Sequence, residues 1–280
     1  MIPARDLDGK VCVLTGANTG IGRVTATTLA RRGARVLLAC RSAAKTKPVL
    51  DEIAKDGGTA DFIPLDLGDL TSVRAATDLV REKTERIDVL VANAGLAGQR
   101  GATKQGFELQ FGTNHLGHFL FVTRLLDLLE RSAPSRIVIV ASAAHYRARQ
   151  IDWDALRRPT RTFAGWPEYQ VSKLCNVLFA RELARREQGK GVSTYAVHPG
   201  VIASDLWRRL PWPLRPLITF RMRTTGEGAH SSLYCATVLE LAGASGRYYD
   251  ASGKPKEPST LAQDDGLARE LWQKSEEWTA

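Results

Sequence analysis

The chain has 280 residues, 44% hydrophobic and 25% charged, with a formal net charge of +9; these values exclude a disordered or collagenous polypeptide and fit one large folded core. No run approaches the roughly 18 uninterrupted apolar residues that a spanning helix needs, and no basic-then-apolar leader precedes the first strand-like run, so a cytoplasmic protein without a transmembrane segment is expected. The basic residues are spread over many segments with no recognisable DNA- or RNA-binding module, which favours a solvated basic surface over a nucleic-acid partner.

Short apolar runs at Val11 to Thr15, Arg35 to Cys40, Asp61 to Leu65, Asp88 to Ala92, Arg136 to Ala141 and Val192 to His198 alternate with helix-length amphipathic stretches. Continuous apolar strands of this kind are covered on both faces, and right-handed crossovers then wind them into a parallel sheet. With a short further strand at Gly246 to Tyr249, the pattern predicts an α/β fold: a doubly wound, mostly parallel sheet of about seven strands in a single domain, 1–280. Cys12, Cys40, Cys175 and Cys235 form no C-x-x-C pair and the five histidines show no ligand spacing, so the cysteines read as reduced core residues and no metal is expected.

Between Asp205 and Arg223 the alternation breaks down. Trp207, Leu210, Trp212, Leu214, Leu217, Ile218 and Phe220 mix there with five arginines. This reads as a substrate-binding flap over about 203–225, either lining a greasy pocket or simply packed on the core, and its arginines leave peripheral membrane contact open.

The first strand runs into Gly16-Ala17-Asn18-Thr19-Gly20-Ile21-Gly22, followed by a helical pattern. Glycines clear side chains from where backbone must approach a pyrophosphate, and the helix start aims unpaired N–H groups at that anion. An NAD-selective site usually ends its second strand in a carboxylate; here Cys40 stands at that position and Arg41 follows. A guanidinium there suits the 2′-phosphate of NADP(H), although a solvent-exposed arginine at a strand end is also common.

Tyr169 and Lys173 lie four apart, on one face of a helix. Free tyrosine has a pKa of roughly 10, and nearby positive charge would bring it toward the working range of a general acid or base. Ser142 ends the fifth strand, and Asn114 sits in an earlier helical stretch.

The G-x-x-x-G-x-G turn preceded by Thr15, with Asn114, Ser142, Tyr169 and Lys173 in chain order, resembles the short-chain dehydrogenase/reductase superfamily and its Rossmann fold. The resemblance implies that these four residues form the catalytic set. Tyr169 would exchange a proton with the substrate oxygen, Ser142 would orient that oxygen, Lys173 would hold the nicotinamide ribose and lower the Tyr169 pKa, and Asn114 would position a water. It also implies cofactor contacts at Gly16, Asn18, Thr19, Gly20, Ile21, Gly22, Asp66, Leu67, Asn93, Ala94, Gly95, Tyr169 and Lys173, and at Pro199, Gly200, Val201 and Ile202 beside the carboxamide. Asn93 and Pro199-Gly200 have plain turn-forming roles as well.

Ala39-Cys40-Arg41, Asn114 to Leu120, Tyr169 to Asn176 and Ala268 to Trp272 are similar to stretches of retinol dehydrogenase-like enzymes. That branch implies NADP(H)-dependent interconversion of a lipophilic aldehyde or ketone and its alcohol. It departs in lacking the N-terminal anchor of the membrane-bound members, and Ala141 replaces a serine common beside the catalytic one. A general carbonyl reductase or secondary-alcohol dehydrogenase is the alternative, followed by a non-catalytic NADP(H) sensor. The resemblance leaves a homodimer open without fixing the oligomeric state.

Overall fold

The computed structural model describes residues 5–200, 224–241 and 243–280. Val201, Ile202 and the predicted flap up to 223 lie outside the described residues.

The apolar runs form β1 (Val11–Thr15), β2 (Arg35–Cys40), β3 (Thr59–Pro64), β4 (Val89–Ala92), β5 (Ser135–Val140), β6 (Val192–Val197), β7 (Tyr248–Tyr249) and β8 (Pro255–Lys256) in one sheet of order β3-β2-β1-β4-β5-β6-β7-β8. Every pairing is parallel except that between β7 and β8. The pleat explains why these strands are apolar throughout: Val11 and Val13 enter one core, while Cys12 and Leu14 enter the core on the opposite face.

Helices α1 (Gly20–Arg31), α2 (Ala43–Lys55) and α7 (Thr225–Thr237) cover one face, where Leu29, Val49, Ile53 and Cys235 are buried. The other face is covered by α3 (Leu70–Lys83), a helical run α4 over 109–123, α6 (Trp166–Arg186) and α8 (Asp265–Thr279). The short α5 (Leu126–Arg131) leads into β5. Aromatic contacts tie the last helix down: Trp272 meets Phe119 edge-on at 5.0 Å, and the Arg186 guanidinium lies 4.2 Å from the Trp272 ring. All four cysteines are buried and unpaired. Among the described residues no helix is long and apolar enough to cross a membrane.

Three details differ from the sequence reading. β3 starts at Thr59 rather than Asp61, because its ladder with β2 begins at the Arg35–Thr59 pair. Asp88 stays outside β4, where its carboxylate accepts from Val11 N and pairs with Lys10 and Arg86. The eighth strand is only two exposed residues long, a proline and a lysine, and carries no strand signal.

β1 is flanked by β2 and β4, so successive crossovers leave it in opposite directions. The crevice beyond the carboxyl ends of β1 and β4 is the topological switch point, the usual ligand position in such sheets.

Candidate active site

At that switch point lies a cleft of about 1320 Å³ lined by Gly16, Asn18, Thr19, Gly20, Ile21, Gly22, Arg41, Asp66, Leu67, Asn93, Ala94 and Gly95, together with Ser42 and Lys45. Its floor is backbone. Gly16 has φ +68°, and a Cβ there would stand 2.8 Å from Ala94; a Cβ on Gly22 would stand 2.3 Å from the Gly16 carbonyl oxygen. Both positions therefore require glycine. Thr19 precedes α1 in an extended conformation and makes no side-chain cap, which leaves the first N–H groups of that helix directed at the cleft.

The turn is held from behind. Thr15 Oγ1 accepts from Asn93 N and Ala94 N, both at 3.0 Å, and lies 2.8 Å from His118 Nε2. With its acceptor capacity taken, the hydroxyl donates to His118, whose Nδ1 in turn donates to the Asn114 carbonyl at 2.9 Å. Burial holds His118 neutral, its pKa lowered to about 4. Asn93 Nδ2 straps Thr15 O and Gly16 O at 3.0 and 3.2 Å, so its turn-forming role is visible. Arg41 and Asp66 are exposed, and Leu67 is buried. Asp66 Oδ1 accepts from Gly68 N.

A buried polar group continues the cleft past Gly95. α4 is interrupted by a π-helical stretch, Gly112–Leu116, and such insertions re-aim side chains at functional places. Its Asn114 is fully buried: Nδ2 donates to Leu96 O and Ser172 Oγ, and Oδ1 accepts from Leu96 N, each at 2.9 Å. Asn114 thus clamps the loop after β4 to α6. Gly95 leaves room for this, since a Cβ would come within 3.3 Å of Asn114 Oδ1 and 3.6 Å of Lys173 Nζ.

Ser142 caps the turn Ala143–Arg147 just past β5, its Oγ accepting from Ala144 N at 3.1 Å. Its hydroxyl acts on Tyr169, favouring the ionised phenol. With an N–H already donated to it, the serine keeps its own proton for an oxygen in front of it. Tyr169 is 9% exposed and its ring meets Trp166 edge-on at 5.5 Å. Burial raises the Tyr169 pKa and Ser142 partly opposes this. Lys173 Nζ lies 5.8 Å from the Tyr169 ring centre and donates to Val140 O at 2.9 Å. The expected lowering of Tyr169 by Lys173 is thus absent from the geometry of the protein alone, because the ammonium is turned to the end of β5. Burial pushes Lys173 itself down to about 8.

Tyr169, Lys173, Ser142 and Asn114 therefore adjoin one another and the inner end of the cleft. Gly200 has φ +93°, and its N–H donates to His198 Nδ1; Pro199 and Gly200 follow β6 at the same sheet edge. Sequence reasoning missed Lys45, which lines the cleft beside Arg41, although Ser42 as an N-cap whose Oγ accepts from Lys45 N was signalled by a serine before a helix. It also missed Thr15 and His118 as partners, for which no local signal exists.

The fold and this site define a short-chain dehydrogenase: the family model for short chain dehydrogenase matches residues 10–153, and the chain belongs to that family. It is 43% identical over 96% of its length to dehydrogenase/reductase SDR family member 13 of Bos taurus, covering 73% of that protein, and 41% identical over 96% to human retinol dehydrogenase 13, covering 84%. A Beutenbergia cavernae structure described as an NAD(P) dependent gluconate 5-dehydrogenase with bound NADP, at low occupancy, superposes with a TM-score of 0.71 at 27% identity, over 89% of this chain and 97% of that one.

Proposed function

We propose that this chain uses NADP(H) to interconvert a lipophilic aldehyde or ketone and its alcohol, with Tyr169 as proton donor and acceptor. Oxidoreductase activity follows from the family, and a 27%-identical relative holds NADP. The cleft fits that cofactor: two positions admit no Cβ, helix N–H groups face the phosphate position, and Arg41 and Lys45 stand at the outer end with no carboxylate after β2.

When bound, NADP(H) supplies or accepts the hydride at the substrate carbon. The protein's residues handle the rest. Tyr169 gives its hydroxyl proton to the carbonyl oxygen in reduction and takes it back in oxidation. Ser142, fixed by Ala144 N–H, directs its proton at the same oxygen. Burial keeps the phenol protonated, so the resting enzyme is poised as the acid for reduction. Lys173, whose ammonium donates to Val140 O beside the Tyr169 ring, would hold the nicotinamide ribose. Asn114 holds Leu96 and Ser172 and so fixes the loop and the helix that carry Gly95 and Tyr169. In this reading Pro199 and Gly200, which follow β6, border the carboxamide.

The observation that carries the reading is Lys173 beside the Tyr169 ring, abutting the glycine cradle at Gly95. Retinol dehydrogenase names among the relatives favour a lipophilic substrate. The test is consumption of NADPH and of NADH, followed by nicotinamide absorbance, across all-trans-retinal, straight-chain aldehydes, bulky ketones and small polar carbonyls. Turnover of the lipophilic members with NADPH is expected; turnover confined to polar carbonyls, or preference for NADH, contradicts it.

A further inference from the structure

Phe163 is 92% exposed, the most exposed large hydrophobic side chain among the described residues. Single exposed apolar residues are ordinary, but this one stands on a loop built to keep its place. Glu168 accepts from Arg161 N, Thr162 N and Thr162 Oγ1 at 3.2, 3.0 and 2.5 Å, and Thr162 Oγ1 accepts from Gly165 N at 3.1 Å. The buried Gln110 donates to Gly165 O and accepts from Gly98 N. Gly165 holds φ +64°, and a Cβ there would strike Gln110 Nε2 at 2.5 Å. The loop tip is thus pinned to α4, to the loop after β4 and to the start of α6.

The tip borders the cleft. Phe163 and Trp166 line the same cleft as Gly95, Leu96 and Ala97, and Trp166 packs edge-on against Tyr169. Trp166 thus packs on the Tyr169 ring while lining the cleft, and Phe163 adds to the same cleft an aromatic ring with most of its surface open. A rigid aromatic loses little entropy on contact and offers a large apolar area to a ligand.

Building on the function proposed above, we propose that Phe163 determines substrate specificity, with Trp166, by receiving the extended hydrocarbon tail of an aldehyde whose carbonyl lies at Tyr169. Small carbonyls reach Tyr169 without touching Phe163, so the residue discriminates by chain length. Burying tail methylenes against the ring is the source of the preference.

The experiment compares wild type, Phe163→Leu and Phe163→Ala. The ratio of kcat/KM for octanal to that for propanal falls about tenfold in Phe163→Ala and stays within about threefold of wild type in Phe163→Leu. Calorimetric titration of 1-octanol into NADPH-loaded enzyme, a pair with no oxidant, gives the same order without turnover, with Kd about tenfold weaker for Phe163→Ala. An unchanged ratio with unchanged octanol Kd overturns the proposal. So does a fall in melting temperature or NADPH affinity in Phe163→Ala that accounts for the loss, since Phe163 would then serve the chain itself. If wild type turns over neither aldehyde, the carbonyl-reducing function fails, while octanol binding still decides the role of Phe163.

Discussion

The glycine cradle and the Tyr169 corner share one cleft but are made from different materials. The cradle is backbone: its essential residues at Gly16 and Gly22 work by having no side chain, and the side chains of Thr15 and Asn93 brace it by bonding its main-chain atoms. The corner is side chain: Ser142, Tyr169, Lys173 and Asn114 come from three separate elements, and Asn114, Ser142 and Lys173 are each held by hydrogen bonds to their surroundings. A cradle of this kind fails by collision and is indifferent to pH. The corner fails through protonation and charge, where burial decides the cost.

Tyr169→Phe separates the two regions most sharply. It removes the reacting hydroxyl and leaves the cradle, so kcat falls about a thousandfold while the NADPH Kd moves less than about threefold; steady-state kinetics and a binding titration on one preparation read both. Equal losses in both would merge the regions.

Lys173 tests the electrostatic half. Burial lowers it from 10.5 to about 8, so below pH 8 it is protonated in both folded and unfolded states and the folded state bears the desolvation cost. Between about 8 and 10.5 the unfolded chain binds more protons, and stability rises with pH. Lys173→Met lacks this slope: cofactor-free wild type gains about 3 kcal/mol of stability between pH 7 and pH 10.5 that the variant does not. Urea unfolding at both pH values checks it, and a pH-independent difference would contradict it.

The cradle predictions are smaller. Gly22→Ala places a methyl where 2.3 Å separates it from Gly16 O, and NADPH affinity falls about a hundredfold with no pH dependence. Arg41→Ala reduces the preference for NADPH over NADH about tenfold, measured as the ratio of the two Kd values. Preference retained in Arg41→Ala and lost in Lys45→Ala would assign the 2′-phosphate to Lys45.

What was legible follows the same division. Glycine spacing, the missing acid at Cys40 and the strand alternation are local patterns, and the structure lines one cleft with the residues from Gly16 to Gly95 that they and the family resemblance singled out. The corner was legible as residue types in order but not as contacts. Nothing near Lys173 shows that its ammonium reaches Val140 O, which depends on where β5 stops. Thr15 and His118 meet across 103 positions, and the π-helical stretch at Asn114 looks in sequence like any helix. Phe163 gave no signal, because an aromatic in a polar loop reads as core until its exposure is seen.

The most direct test of the account is isotopic. NADPH carrying deuterium at both C4 positions of its nicotinamide is incubated with octanal and wild-type enzyme, and the alcohol is analysed by mass spectrometry. The account predicts one deuterium on the carbinol carbon and none in the product of the Tyr169→Phe reaction beyond its residual turnover. Octanol formed without deuterium, or NADPH bound and left intact beside the aldehyde, would contradict it.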